Sequence, residues 1–186
     1  MALKTPMRFV PSPHHDARPA GTAVDLIVLH AISLPPGQFA MQHVEALFSG
    51  RLDTSAHASF ASLEGMRVAA HFVVDRVGNI TQFVPVEQRA WHAGASIWQG
   101  RERCNDYSIG IEMLGDEQAP FTAVQYRETA RLCRALMLRF PDVATERIVG
   151  HQDVAPGRKW DPGRQWDWGH FRRSLSHIRN TEMTLR

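Results

Sequence analysis

The sequence predicts an α/β (α+β) fold in which a mixed central β-sheet is flanked by helices. Three observations predict it. "VDLIVLHAIS" at 24–33 is a continuous apolar run of strand length, the pattern of a strand buried on both faces. "VAAHFVVDRVGNITQFVP" at 68–85 carries two apolar, β-branched runs around a short loop containing Gly78, the pattern of a hairpin. "FTAVQYRETARLCRALMLRFP" at 121–141 repeats Leu132, Cys133, Leu136, Met137 and Phe140 at helical spacing. Strands and helices mix without strict alternation, so the sheet is expected to be mixed.

In chain order, residues 1–20 are rich in Pro and His and read as an extended lead-in. The apolar run at 24–33 reaches His30 and is broken by "SLPPG". "QFAMQHVEALFSG" at 38–50 reads as a short helix with Phe39, Val44, Leu47 and Phe48 on one face and Gly50 as C-cap. Residues 51–67 are small and polar with weak periodicity and read as an irregular surface excursion. "QRAWHAG" at 88–94 is a short segment after the hairpin, and "YSIGIEML" at 107–114 is a strand. The helix at 121–141 opens on Thr122 and Gln125, a capping-box pair, and stops at Pro141. "RIVGH" at 147–151 is a short buried strand, and 167–180 is a terminal helix with Asp167 as N-cap. One domain is expected over 1–186, with 172–186 forming the rest of that helix and a tail.

Composition narrows the function classes. A hydrophobic content of 44% and a charged content of 22% are those of a globular protein rather than a disordered one. A net charge of +2, with arginines scattered and no basic run, argues against a nucleic-acid partner. No stretch has the length of a membrane span. Two cysteines are too few for a disulfide framework and read as free thiols. With no apolar signal segment at the start of the sequence, the expected location is the cytoplasm. Ten histidines are an excess that points to a metal.

His30 and His151 each close an apolar run. If both strands are central and share a direction, two imidazoles converge at one rim, and the loop after His151 delivers Asp161. Two nitrogens, one carboxylate and an open fourth position make the donor set of a catalytic zinc ion. Glu112 lies between Ile111 and Met113, where a carboxylate is costly unless paired or solvated, and is a candidate general base. Lys159, two residues before Asp161, would bring a positive charge to the same place. The spacing alone is equally met by rim histidines, a strand's outward-facing Glu and a solvated loop Lys.

Taken together, "LHAISLPPGQF", "RAWHAG", "GRERCND", "SIGIE" and "GHQDVAPGRKWDPG" resemble the zinc-dependent N-acetylmuramoyl-L-alanine amidases, specifically the cytoplasmic AmpD type. The resemblance covers roughly residues 9–171 and implies the fold shared with peptidoglycan-recognition proteins. It implies one Zn²⁺ per chain on His30, His151 and Asp161, a catalytic carboxylate at Glu112 and a catalytic lysine at Lys159. One departure is visible: the family tends to carry Asn after the first ligand, where this chain has Ala31.

The implied reaction is hydrolysis of the amide between the lactyl group of (1,6-anhydro-)N-acetylmuramic acid and L-alanine, in cell-wall recycling. The implied partner is a small muropeptide bound by a monomer. Arg67, Arg101 and Arg103 are candidate clamps for peptide carboxylates. Trp91 is a candidate for stacking on the sugar, and His92 for a substrate contact near the metal. The competing class is a non-catalytic muropeptide-binding module of the same fold. Such modules commonly lack a full ligand triad, and here all five residues are present.

Overall fold

The computed structural model describes residues 7–178 together with 183, 185 and 186. Ten short strands and four helices build it: β1 (Arg8–Phe9), β2 (His15–Ala17), β3 (Leu26–Ile32), α1 (Met41–Phe48), β4 (Phe72–Val74), β5 (Ile80–Gln82), β6 (Gln88–Ala90), β7 (Ile97–Trp98), β8 (Arg101–Glu102), β9 (Ser108–Leu114), α2 (Ala123–Arg139), β10 (Ile148–Gly150), α3 (His151–Val154) and α4 (Trp168–His177). The main sheet runs β1-β5-β4-β9-β3-β10. Strands β4, β9, β3 and β10 are parallel, and β5 returns antiparallel as the hairpin predicts. The sheet is therefore mixed, as expected.

Strand alternation decides which side holds the site. Ile27 and Leu29 of β3 and Ile109, Ile111 and Met113 of β9 pack with Tyr126, Ala130, Cys133 and Leu136 of α2 and Phe171 of α4. Successive strand residues point to opposite faces. Leu26, Val28 and His30, with Ser108, Gly110 and Glu112, therefore share the face turned away from α2 and α4. The pairing sets His30 directly opposite Glu112 across β3 and β9. Helix α2 starts on the expected capping box, Thr122 accepting from the Gln125 amide at 3.1 Å and Gln125 accepting from the Thr122 amide at 3.1 Å. Asp167 caps α4 in the same way, accepting from the His170 amide.

Several expectations change. The lead-in is part of the fold: β1 pairs with β5, and β2 pairs with β6. Strands of two or three residues are too short to show a period of two. Residues 51–67 lie largely at the surface, as expected, but they are not wholly irregular. They contain a 3₁₀ helix, Ala58–Leu63, whose Phe60 is fully buried in a core with Val44, Leu47 and Phe48. A 3₁₀ turn has three residues per turn, so a search at 3.6 misses it. β10 lies at the sheet edge rather than centrally, and His151 opens α3 instead of ending a strand. Cys104 is buried in a turn, its Sγ 3.2 Å from the Tyr107 hydroxyl. Residues 179–182 and 184, the end of the expected terminal helix and part of its tail, lie outside the described residues, as do 1–6 of the lead-in.

Candidate active site

Three parallel strands deliver the site at their carboxyl ends, where open α/β sheets gather ligand-binding groups. β3 brings His30, β9 brings Glu112, and β10 leads into His151 at the start of α3. The loop that follows α3 returns Asp161. It is tied down by the Gln152 amide donating to the Asp161 carbonyl at 2.9 Å. Gly150 allows the approach, since a Cβ there would stand 2.8 Å from Cδ of Pro162.

The result is a buried triad. Nδ1 of His30 lies 2.9 Å from Nδ1 of His151 and 3.1 Å from Oδ2 of Asp161, and Nδ1 of His151 lies 3.0 Å from the same oxygen. His151 Nε2 faces only the Ala93 carbonyl, at 3.2 Å, so it carries the ring proton and donates it there. Its Nδ1 then offers a lone pair to the centre. Nitrogen and carboxylate donors converging on one point are a donor set that a cation could share. A tetrahedral zinc ion, with bonds to N and O of about 2.0–2.2 Å, sets such donors roughly 3.3–3.6 Å apart, a few tenths of an ångström wider than the triad. These residues fit a metal.

Charge and burial agree with this. Burial pushes the Asp161 carboxyl up, but the His151 and His30 imidazoles against it outweigh that effect and hold it below the usual carboxylate range. Burial brings the His30 imidazole down to about 4, against the opposing pull of the Asp161 carboxylate. Glu112 is pushed well above the ordinary range, by burial first and by the Asp161 charge second, while Lys159 opposes the shift. Its Oε2 is buried and has no hydrogen-bond partner among the described residues.

A cavity of about 790 Å³ opens over the triad. His30, His92, Glu112, His151, Lys159 and Asp161 all line it, so the five residues expected to act together do meet. An apolar wall of Leu34, Leu47, Leu63, Met66 and Val68 faces Asp116, Glu117 and Gln118. Ala31 lines it beside His30. The other expected contacts are placed elsewhere. Trp91 donates its indole N–H to Asp16 and stacks on His14. The Arg67 guanidinium lies over Trp91, outside the cavity wall but between the wall residues Met66 and Val68. Arg101 pairs with Asp25 and covers the Tyr107 ring, and Arg103 pairs with Asp106. Sequence reasoning missed Trp160, which lines the cavity and is 40% exposed, and the acidic wall at 116–117. Position alone would have flagged that wall, since it directly follows the carboxyl end of β9.

Beneath the site, His71 supports β9. Its Nδ1 accepts from the Gly110 amide at 3.0 Å, so its Nε2 donates to the Gln88 carbonyl at 3.0 Å. Burial, and then the Arg18 charge, lower it to about 3 from 6.5. The unfolded chain therefore binds the extra proton below pH 6.5, and stability must fall as pH drops toward 4, by about 1.4 kcal/mol per pH unit from this residue. His71→Asn keeps an acceptor for Gly110 and does not titrate. Urea unfolding between pH 6 and pH 4 should show a shallower loss in that variant by about this slope; equal slopes would mean that His71 does not stay neutral in the fold.

Comparison with known proteins agrees with this fold. Residues 20–164 match the family model for N-acetylmuramoyl-L-alanine amidase. The chain is 50% identical over 169 residues to the 1,6-anhydro-N-acetylmuramyl-L-alanine amidase AmpD of Escherichia coli K12, covering 91% of this chain and 92% of that one. It is 48% identical over 177 residues to the AmpD of Citrobacter freundii, covering 95% and 94%. A crystal structure of a selenomethionine AmpD derivative superposes with a TM-score of 0.89 at 47% identity, covering 92% of this chain and 95% of that one. Fold and comparisons together define an amidase, and its buried triad could hold a metal ion. The chain belongs to the N-acetylmuramoyl-L-alanine amidase family.

Proposed function

We propose that this amidase hydrolyses the amide joining the lactyl carbonyl of 1,6-anhydro-N-acetylmuramic acid to L-alanine, as a zinc enzyme of cell-wall recycling. The observation that carries the reading is the meeting of the His30–His151–Asp161 triad with the partnerless Glu112 carboxyl in one cavity. The names of the AmpD relatives, which align over nearly the whole chain, support the substrate. A metal on the triad supplies Lewis acidity, polarising a carbonyl and making water a better nucleophile.

The chain's own residues account for the remaining chemistry. Glu112 takes the proton of the attacking water on its carboxylate and returns it to the leaving amine of L-alanine. The Lys159 ammonium, exposed at the rim of the same cavity, stabilises the oxyanion that forms as water adds to the carbonyl. The apolar wall suits the C–H face of the sugar. Among the arginines, Arg67 is best placed for a peptide carboxylate, because Arg101 and Arg103 are already paired with Asp25 and Asp106. The location is read as the cytoplasm, in keeping with Cys104 and Cys133 being buried thiols rather than a disulfide pair. The working form is read as a monomer.

Zinc-loaded protein incubated with an anhydro-muropeptide should release free peptide and anhydro sugar, read by mass spectrometry, and should act less on polymeric wall. Metal bound and no cleavage of either would instead leave a non-catalytic muropeptide-binding module.

A further inference from the structure

His92 lines the cavity, and its ring also meets His30. We propose that the His92–Ala93 segment, clamped by Asn105, is the element that orients both metal-binding imidazoles. The inference rests on reading the triad as a metal site.

The two residues carry the two acceptors that the metal histidines need. Nε2 of His30 lies 2.9 Å from Nδ1 of His92, and Nε2 of His151 lies 3.2 Å from the Ala93 carbonyl. A neutral imidazole that gives its Nδ1 lone pair to a metal must carry its proton on Nε2 and needs an acceptor there. His92 meets this by presenting a bare Nδ1. Its own proton then sits on Nε2 and is donated to Ser108 Oγ at 3.2 Å. The chain runs His30 to His92 to Ser108, one proton per link, with no buried nitrogen left unpaired.

The segment is built to hold still. Oδ1 of Asn105 accepts from the His92 amide at 3.2 Å and from the Ala93 amide at 2.8 Å. One side-chain oxygen thus fixes the backbone that aims both acceptors. Arg158 adds a donor to the Ala93 carbonyl at 2.6 Å. On the other side, the His92 ring lies flat against Gly110, where a Cβ would come within 2.5 Å of its Cγ. The glycine in "SIGIE" is therefore where the sheet makes room for this ring. Neither Asn105 nor Gly110 takes part in the triad's mutual hydrogen bonds, so both would act through His92–Ala93.

The test uses the full chain with zinc added as the probe. His92→Leu removes the acceptor, while His92→Asn places an amide oxygen where Nδ1 stands. Competition against a chromogenic chelator should show zinc binding roughly 10–100-fold weaker in His92→Leu, the usual cost of losing such a partner, with most of it recovered in His92→Asn. The visible spectrum of the cobalt-loaded protein should change in His92→Leu and return toward wild type in His92→Asn. Asn105→Ala should weaken zinc in the same direction, and it stands as the test should His92→Leu fail to fold. Wild-type zinc affinity in His92→Leu or in Asn105→Ala, or no recovery in His92→Asn, overturns the inference alone. Failure of the wild-type protein to hold zinc overturns the triad as a metal site and this inference with it.

Discussion

Glu112→Gln is expected to lower turnover by roughly 10²–10⁴-fold with the metal still bound, the range for removing a positioned general base. The substitution keeps the shape and deletes the charge. Glu112 sits opposite His30 on the face of β9 that the cavity reaches, yet none of the triad's hydrogen bonds involves it. Zinc content should therefore be unchanged. Loss of zinc would make Glu112 a ligand and end its assignment as base. Stability should move the other way. In metal-free protein the raised pKa means that folding favours the protonated carboxyl, and this advantage is lost as pH rises and the group must ionise in place. The amide that replaces it has no charge to bury. The chelator-treated variant should unfold at a higher urea concentration than wild type at pH 8, the pattern of a residue kept for activity at a cost in stability.

The sequence carried the elements that are long or buried on both faces. β3 and β9 read as strands because apolar residues fill the helix-packed side completely, and α2 read as a helix from its stripe and cap. It could not carry register. Nothing local to Glu112 says that it faces His30, because that pairing is set by how two parallel strands separated by a hairpin and loops align. The family motifs supplied that link. Direction was the other missing quantity. "RAWHAG" marks a functional segment, but only the fold shows Trp91 turned to Asp16 and His92 turned to His30. Asn105 falls within "GRERCND", but nothing local says that its Oδ1 accepts from backbone amides twelve and thirteen positions away.

Asp161→Ala should abolish metal-dependent turnover, a fall on the order of 10³-fold or more, because several kcal/mol of Lewis-acid assistance depend on holding the ion. The carboxylate is the one anionic donor in the triad. With it a divalent ion is left at about +1; without it two neutral imidazoles face the full double charge. Zinc should bind far more weakly, and excess zinc should restore only part of the rate. Metal-free protein should also report the loss. The Asp161 carboxylate is held ionised by His151 and His30, so it contributes stability above its unfolded pKa that disappears as pH falls through the lower folded value. Wild type should therefore lose more stability than Asp161→Ala between pH 4 and pH 2. Undiminished zinc affinity in Asp161→Ala would show that the ion sits elsewhere, and the triad would then be only a hydrogen-bonded cluster beneath the cavity.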